Sequence, residues 1–243
     1  MLTKAIICAL NEAPSIGPIV AGSRQHVDEV VVIDGDSTDG TCQVATKEGA
    51  RCEILSERGK GRAIRYAIDT EQADILVFID ADGSHDPADI PALVEPIVQG
   101  QADLVIGDRN AAGSEELHDS LDHVLRRLGS WVIRTVINLR FGVRLGDVQN
   151  GYRAIRADVA RALGLEEDIF TIEQEMVMKA LLRGYRVINV PSYEYRRKHG
   201  TSRLSALRYG WRYVWSLLLY VLRPRIRPAA GDIDTEMEEN EAT

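Results

Sequence analysis

Short apolar runs alternate along the first half of the chain with stretches of helical periodicity. Residues 5–10 (AIICAL), 29–34 (EVVVID), 51–55, 73–80 and 102–107 (ADLVIG) have strand length. They are apolar nearly throughout, the pattern of strands covered on both faces. Helical segments fall between them: from the turn at Asn11-Glu12-Ala13-Pro14-Ser15 to about residue 25, from Thr41 to about 49, 62–70 behind Gly59-Lys60-Gly61, and 87–99 with Pro87 near its start. This alternation predicts an α/β fold, a mostly parallel, doubly wound (Rossmann-like) sheet with helices on both sides. Further on, Leu121, Leu125, Leu128, Val132, Val136 and Leu139 recur at helical spacing, so 117–139 reads as a long helix, preceded by a polar loop at 110–116. Helices near 157–163 and 172–183 and a last strand at 187–190 complete the pattern. The Gly59-x-Gly61 pair lacks the full spacing of a dinucleotide-binding loop.

The C-terminal part differs in character. From 194 to 227 there are nine Lys or Arg and one acid, and from 228 to 243 six acids and no base. A basic loop at 196–203 leads into a helix at 204–222 carrying Trp211, Trp215, Tyr209, Tyr213 and Tyr220. Its apolar run falls short of the roughly 20 residues a bilayer span needs. With Arg223, Arg225 and Arg227 beside it, the helix reads as one lying in a membrane interface, or else as a core or dimer helix with a solvated basic end. The resulting division is a folded domain at 1–203, a basic, aromatic, amphipathic helix at 204–228, and a disordered acidic tail at 229–243.

Composition is that of an ordinary globular chain: 243 residues, 45% hydrophobic, 27% charged, net charge -8. The acidic balance gives no case for nucleic-acid binding. Cys8, Cys42 and Cys52 form no CxxC pattern, which predicts neither a zinc site nor a disulfide framework and fits a reducing cytoplasm. Cys8 reads as a small buried hydrophobe. Residues 1–4 run into the first strand without the layout of a signal peptide.

The candidate chemistry lies at strand ends. The run at 73–80 ends in Asp80-Ala81-Asp82, stopped by Gly83. Two carboxylates this close repel unless a cation or proton lies between them, and Mg²⁺ is held by one or two carboxylates plus substrate phosphates. The other reading is an acidic turn before the helix at 87. Two more strand ends carry polar clusters, Asn11-Glu12 and 34–39, and in a parallel sheet all three face one rim, where ligands bind.

Together these residues resemble family 2 glycosyltransferases of the GT-A fold, and within them the polyprenyl-phosphate (dolichyl-phosphate) hexosyltransferases, over residues 4–205. Asp80-Ala81-Asp82 stands at the family's metal-binding DxD. Ala9-Leu10-Asn11-Glu12 resembles the end of its first-strand P-x-Y-N-E pattern, with Cys8 for Pro. Asp34 and Ser37-Thr38-Asp39-Gly40-Thr41 resemble the loop around base and ribose, but Gly35-Asp36 reverses the usual order. Gly107-Asp108-Arg109, Asp147 to Arg153, Glu173-Gln174-Glu175 and 197–203 resemble further family motifs, with Arg203 for Lys. Arg126 and Ser130, four apart, match an Arg and a Ser used around the acceptor phosphate.

The resemblance implies inverting transfer of a hexose from GDP-mannose or UDP-glucose to polyprenyl phosphate at the cytoplasmic face of a membrane. It implies Mg²⁺ or Mn²⁺ on Asp80 and Asp82, with Ser84 or water in place of a Gln ligand. Ala9, Asn11, Glu12, Asp34, Asp39, Lys60, Asp80 and Ala81 are the expected donor contacts, and Arg109, Arg126, Ser130, Arg197 and Arg203 the acceptor-phosphate contacts. Glu173 and Glu175 are expected at the sugar, and Asp82, Arg109 and Asp147 form the catalytic set. Simpler roles stand beside these: surface ion pairs for Arg109 and Arg126, a helix cap for Asp39, a loop anchor for Asp147, an acidic helix start for Glu173 and Glu175, and solvated or loop histidines at 85 and 199. Competing functions are the same fold on a soluble or polysaccharide acceptor, and a non-catalytic sugar-nucleotide-binding scaffold. A separate membrane-anchoring protein is a further expected partner.

Overall fold

The computed structural model describes residues 1–115, 121–197 and 206–225. Seven strands form one sheet in the order β3-β2-β1-β4-β6-β5-β7. They are β1 (Thr3–Ala9), β2 (Glu29–Asp34), β3 (Arg51–Ile54), β4 (Ile75–Asp80), β5 (Leu104–Asp108), β6 (Arg153–Arg156) and β7 (Val187–Pro191). All neighbours pair in parallel except β6, which is antiparallel to both β4 and β5. The expected mostly parallel sheet is present. β6 was not legible in the sequence because its four residues, Arg-Ala-Ile-Arg, begin and end in charge.

The helices are α1 (Ala13–Ser23), α2 (Thr41–Lys47), α3 (Lys60–Thr70), α4 (Ile90–Val98), α5 (Arg109–Ala112), α6 (Leu121–Phe141), α7 (Ala157–Leu163), α8 (Ile172–Leu182) and α9 (Ala206–Val221). Strand pleating divides the apolar side chains between two cores. Ile6, Val31, Ile33, Leu76 and Phe78 face the core shared with α3, α6, α7, α8 and α9. Ala5, Ile7, Val30, Val32, Ile75, Val77 and Ile79 face the one shared with α1 and α4. Two buried faces explain why these strands are apolar without alternation.

Two expectations, on the cysteines and on the 110–116 stretch, are corrected. Cys42 and Cys52 form a disulfide, with Cα atoms 5.8 Å apart. The crossover from α2 to β3 brings them within bridging range, a consequence of strand pairing that residue spacing does not announce. The start of the polar 110–116 stretch is the short helix α5, and Ser114 then makes a β-bridge with Glu194. The C-terminal helix packs on the domain: Leu217 and Tyr220 of α9 belong to the main core, and Arg140 of α6 donates to the carbonyls of Val221 and Arg223.

α8 is buried along its whole length. It carries Glu173, Gln174, Glu175 and Lys179 inside, each with a partner. Glu175 lies 2.7 Å from Lys179, accepts at 2.9 Å from both the Glu166 and Glu167 N–H groups, and accepts the Tyr220 hydroxyl at 3.0 Å. This carboxylate fastens the 165–167 loop and α9 to the domain, so its expected place beside the sugar is corrected to a structural one.

Gly61 opens α3 against the 167–169 segment. A Cβ there would stand 2.2 Å from the Glu167 carbonyl oxygen and 2.6 Å from the Asp168 carbonyl carbon, both backbone atoms. Gly61→Ala is expected to destabilise the fold by about 2 kcal/mol, as overpacking does. Gly129→Ala in α6, where a Cβ meets nothing within 4 Å, should instead stabilise by roughly 0.5–1 kcal/mol through helix propensity. Urea unfolding of the two variants reads this difference in sign.

Candidate active site

The carboxyl ends of β1, β2 and β4 lie level at one rim. Ala9 pairs with Asp34 in register, and Cys8 with Asp80. Beyond this rim lies a cavity of about 1320 Å³. Ala9, Glu12, Lys60, Asp80, Ala81, Asp82, Arg109, Ser130, Asp147, Glu173 and Arg197 all line it. Residues far apart in sequence are thus brought to one space, as expected.

Asn11, Asp34 and Asp39 sew together the loops behind the rim. Asn11 donates its N–H to Ser37 Oγ (2.8 Å), and its side-chain oxygen accepts from the Thr38 N–H (2.9 Å). Asp34 accepts from the Ser37 N–H at 2.8 Å. Asp39 accepts from Ala13 N–H, Thr41 N–H and the Thr41 hydroxyl at 3.0, 3.1 and 2.6 Å. Its carboxylate therefore joins the first residues of α1 and α2, from a position one residue before the Gly40 cap of α2. Asn11 and Asp36 adopt φ of 56° and 65°, a left-handed conformation that Asn and Asp accept more readily than most residues.

Behind the DxD lies a buried ammonium. Lys60 Nζ is 2.5 Å from Asp80 and 2.7 Å from Glu173. Burial opposes charge on Lys60, but these two carboxylates override it and raise its pKa. Burial likewise pushes Asp80 up, and Lys60 more than reverses it, with His85 and Arg197 adding, to about 2. Gly151 makes this closeness possible, since a Cβ there would stand 2.6 Å from Lys60 Nζ and 2.8 Å from Asp80 Oδ2. Asp82 accepts from the Ser84 N–H at 2.9 Å and lies 3.0 Å from Arg197. Ser84 is buried and acts through its backbone, its N–H on Asp82 and its carbonyl accepting from the Tyr195 N–H.

Arg109 is clamped. Its Nε and Nη2 meet the two oxygens of Asp147 at 2.6 and 3.2 Å, and Nη1 meets Glu194 at 3.1 Å. This is a bidentate pair with Asp147 buried and Arg109 half-buried, not a surface contact. Burial raises the Asp147 carboxyl, yet Arg109 holds it below the usual carboxylate range. Glu194 escaped sequence reasoning; the available signal was its position as the lone acid heading the basic segment. Arg153, also buried, donates to the carbonyls of Asn150 and Glu173 and so ties the 147–151 loop to α8. Burial lowers its pKa to about 10.

Ser130 donates to the Gln149 side chain. Arg203 lies outside the described residues, as do His199 and the side chain of Arg126. His85 is buried against the Tyr152 ring, 5.0 Å between centroids, and burial lowers its pKa. It is a packed loop histidine. Cys8 is half-buried at the cavity floor rather than fully inside, and burial pushes its thiol up to about 12.

The donor set suits a hard cation. Among the described residues, the only group of three metal-ligating side chains is Asp34, Cys42 and Cys52, and its sulfurs are joined to each other. The DxD thus offers two carboxylates and no protein cage, the layout in which substrate phosphates and water complete a Mg²⁺-like shell. Protein cations already stand against both carboxylates, which marks the place as one that calls for positive charge.

A mostly parallel sheet with a carboxylate-bearing rim of this kind fits the fold of a GT-A glycosyltransferase. The sequence profile described as Glycosyl transferase family 2 matches residues 4–164, and the chain belongs to that family. It is 33% identical over 207 residues to glycosyltransferase AglJ of Haloferax volcanii, covering 83% of this chain and 67% of the relative. It is 32% identical over 220 residues to an undecaprenyl-phosphate mannosyltransferase of Micrococcus luteus (84% and 88% covered), and 28% identical to a dolichyl-phosphate hexose transferase of Haloferax volcanii (89% and 92%). Among solved structures, glucosyl-3-phosphoglycerate synthase of Mycobacterium tuberculosis with Mn²⁺, UDP-glucose and phosphoglyceric acid superimposes with a TM-score of 0.71 at 22% identity, covering 92% of this chain and 80% of that one.

The Arg109–Asp147 pair has a pH signature. With its pKa lowered on folding, Asp147 adds stability above the unfolded value of about 3.9 and loses it as pH falls below that. Asp147→Asn is expected to cost about 3 kcal/mol at neutral pH, since it leaves a buried charge short of a partner. The gap to wild type should narrow toward about pH 3. Urea unfolding across pH measures it; a constant gap contradicts the assignment.

Proposed function

We propose that the protein transfers a hexose from a nucleotide-diphosphate sugar to a polyprenyl phosphate, with inversion, using Mg²⁺ or Mn²⁺ held by Asp80 and Asp82. The observation that carries this reading is where the cavity leads. It runs from the DxD between α6 and α9, lined there by Leu128, Trp131, Trp211 and Val214. The same side chains are exposed on the outer surface, Trp131 at 54% and Trp211 at 62%, with Trp215, Leu218 and Leu222 beyond them. Arg127 lines the same cavity and the Arg212 guanidinium stands over the Trp211 ring, 5.3 Å from its centroid. An apolar, aromatic, arginine-edged surface suits a membrane interface. No helix among the described residues is long and apolar enough to cross a membrane, so the fitting mode is peripheral. The names of the relatives, which act on undecaprenyl and dolichyl phosphates, support the same acceptor class.

The chemistry follows from charge. A phosphate monoester has its second pKa near about 6, so the acceptor is largely dianionic at neutral pH and needs no general base. Asp147 is accordingly not free to act as one: both its oxygens serve Arg109. It orients Arg109, while Glu194 holds the guanidinium from the other side. A bound divalent cation would neutralise the departing diphosphate. Lys60 keeps Asp80 and Glu173 in place, and Glu173 faces the cavity where the sugar hydroxyls would lie. In-line attack forms the bond from an acceptor phosphate oxygen to the anomeric carbon as the carbon–oxygen bond to the nucleoside diphosphate breaks. An α-linked donor gives a β-linked lipid.

Purified protein with polyprenyl phosphate, Mn²⁺ and GDP-mannose or UDP-glucose should yield a lipid-linked hexose, identified by mass. Transfer only to water or soluble acceptors overturns the reading. Asp82→Asn should lower kcat/KM by about 10²-fold or more. Trp131→Ala and Trp211→Ala should each weaken binding to anionic vesicles by about tenfold, the loss expected for one interfacial aromatic, without changing nucleotide binding.

A further inference from the structure

The two protein cations on the DxD are held in different ways. Lys60 opens α3, is wedged between Asp80 and Glu173, and keeps only 16% of its side chain exposed. It cannot leave without unpairing two carboxylates. Arg197 stands on the strap that follows β7. That strap is tied at Glu194, which pairs with Arg109, and at Tyr195, whose N–H donates to the Ser84 carbonyl at 2.8 Å. A third tie follows at Arg196, whose N–H donates to Glu115 at 3.0 Å, and Arg197 is the next residue, with 29% of its side chain exposed. These ties hold the strap by contacts other than the one between Arg197 and Asp82.

Its present partner is the decisive point. Both oxygens of Asp82 are engaged: Oδ1 accepts from the Ser84 N–H, and Oδ2 lies 3.0 Å from Arg197 Nη2. The Ser84 contact is local backbone geometry and leaves the carboxylate charge uncompensated. Arg197 supplies the compensation, on the oxygen that a cation would need. Asp80, by contrast, meets Lys60 through Oδ1 alone in that ion pair.

We propose that Arg197 is the exchangeable counter-ion of Asp82, an internal competitor that a divalent cation must displace before it can bind there. Displacement frees the guanidinium for a second anion beside the first, which fits the placement of an acceptor phosphate in this cavity. The inference rests on the reading of Asp82 as a metal ligand. Competition has a signature opposite to that of an ordinary site residue: its removal tightens metal binding.

The experiment is Mn²⁺ binding to the full chain without nucleotide or lipid, read from the electron paramagnetic resonance signal of free Mn²⁺. Arg197→Ala and Arg197→Gln should each lower the Mn²⁺ Kd by about fivefold or more, the scale of a modest coupling between ligands. Arg197→Lys, which keeps the charge, should stay near wild type. Arg127→Ala removes a positive charge from the same cavity lining without a contact to Asp82 and should shift the Kd by much less. An unchanged or weaker Kd in both Arg197→Ala and Arg197→Gln overturns the proposal, as does equal tightening in Arg127→Ala. Asp82→Asn separates the two levels. If it abolishes Mn²⁺ binding while the Arg197 variants bind as wild type does, only the exchange fails; if it leaves Mn²⁺ binding intact, the metal site fails with it.

Discussion

Lys60 Nζ lies 2.5 Å from Asp80 and 2.7 Å from Glu173, and this one buried ammonium joins three parts of the chain. Asp80 ends the central strand β4, Glu173 begins the buried helix α8, and Lys60 begins α3. Removing Lys60 would leave two carboxylates facing each other without their shared cation, which is far costlier than losing a surface pair. The backbone accommodates the cluster by leaving out side chains: Gly61 lets α3 press on the 167–169 segment, and Gly151 leaves room for the ammonium and carboxylate together. Packing and electrostatics are thus the same constraint here.

The rest of the site follows the same rule. Five carboxylates, Asp80, Asp82, Asp147, Glu173 and Glu194, surround the three cations Lys60, Arg109 and Arg197. Arg127 and Arg134 line the same cavity and Arg153 lies against its loop, and the two carboxylates of the DxD offer a divalent cation a place among them. Arg109 is clamped between two acids. A guanidinium held on both edges is a fixed reference for a phosphate, and its orientation is settled before any ligand arrives.

α9 connects this polar interior with the apolar outside. Its inner face reaches the core through Leu217 and Tyr220, and Tyr220 donates to the same Glu175 that fastens the 165–167 loop. Its outer face, with Trp211 and Trp215, is exposed beside Trp131 of α6. One helix is therefore both a structural support and the wall between the cavity and the proposed membrane surface. The sharing of Glu175 and Tyr220 couples the seating of α9 to the loop next to α3.

The chain's linear pattern determined the class of fold, the level strand ends and the DxD, because buried parallel strands need continuous apolar runs and their carboxyl ends must then carry the polar groups. It also determined that arginines would gather at the site, since Arg109 and Arg197 stand in recognisable motifs. Tertiary structure decided who holds whom. Asp39 and Asn11 turned out to sew loops, Glu175 to anchor α9, and Ser84 to act through its N–H, because a short polar side chain near a helix start can serve backbone or ligand equally well and only geometry separates the two. The Cys42–Cys52 bridge and the partnership of Arg109 with Glu194 were invisible for one shared reason. Each is a contact set by strand order and crossover, and neither periodicity nor spacing encodes which strand will lie beside which.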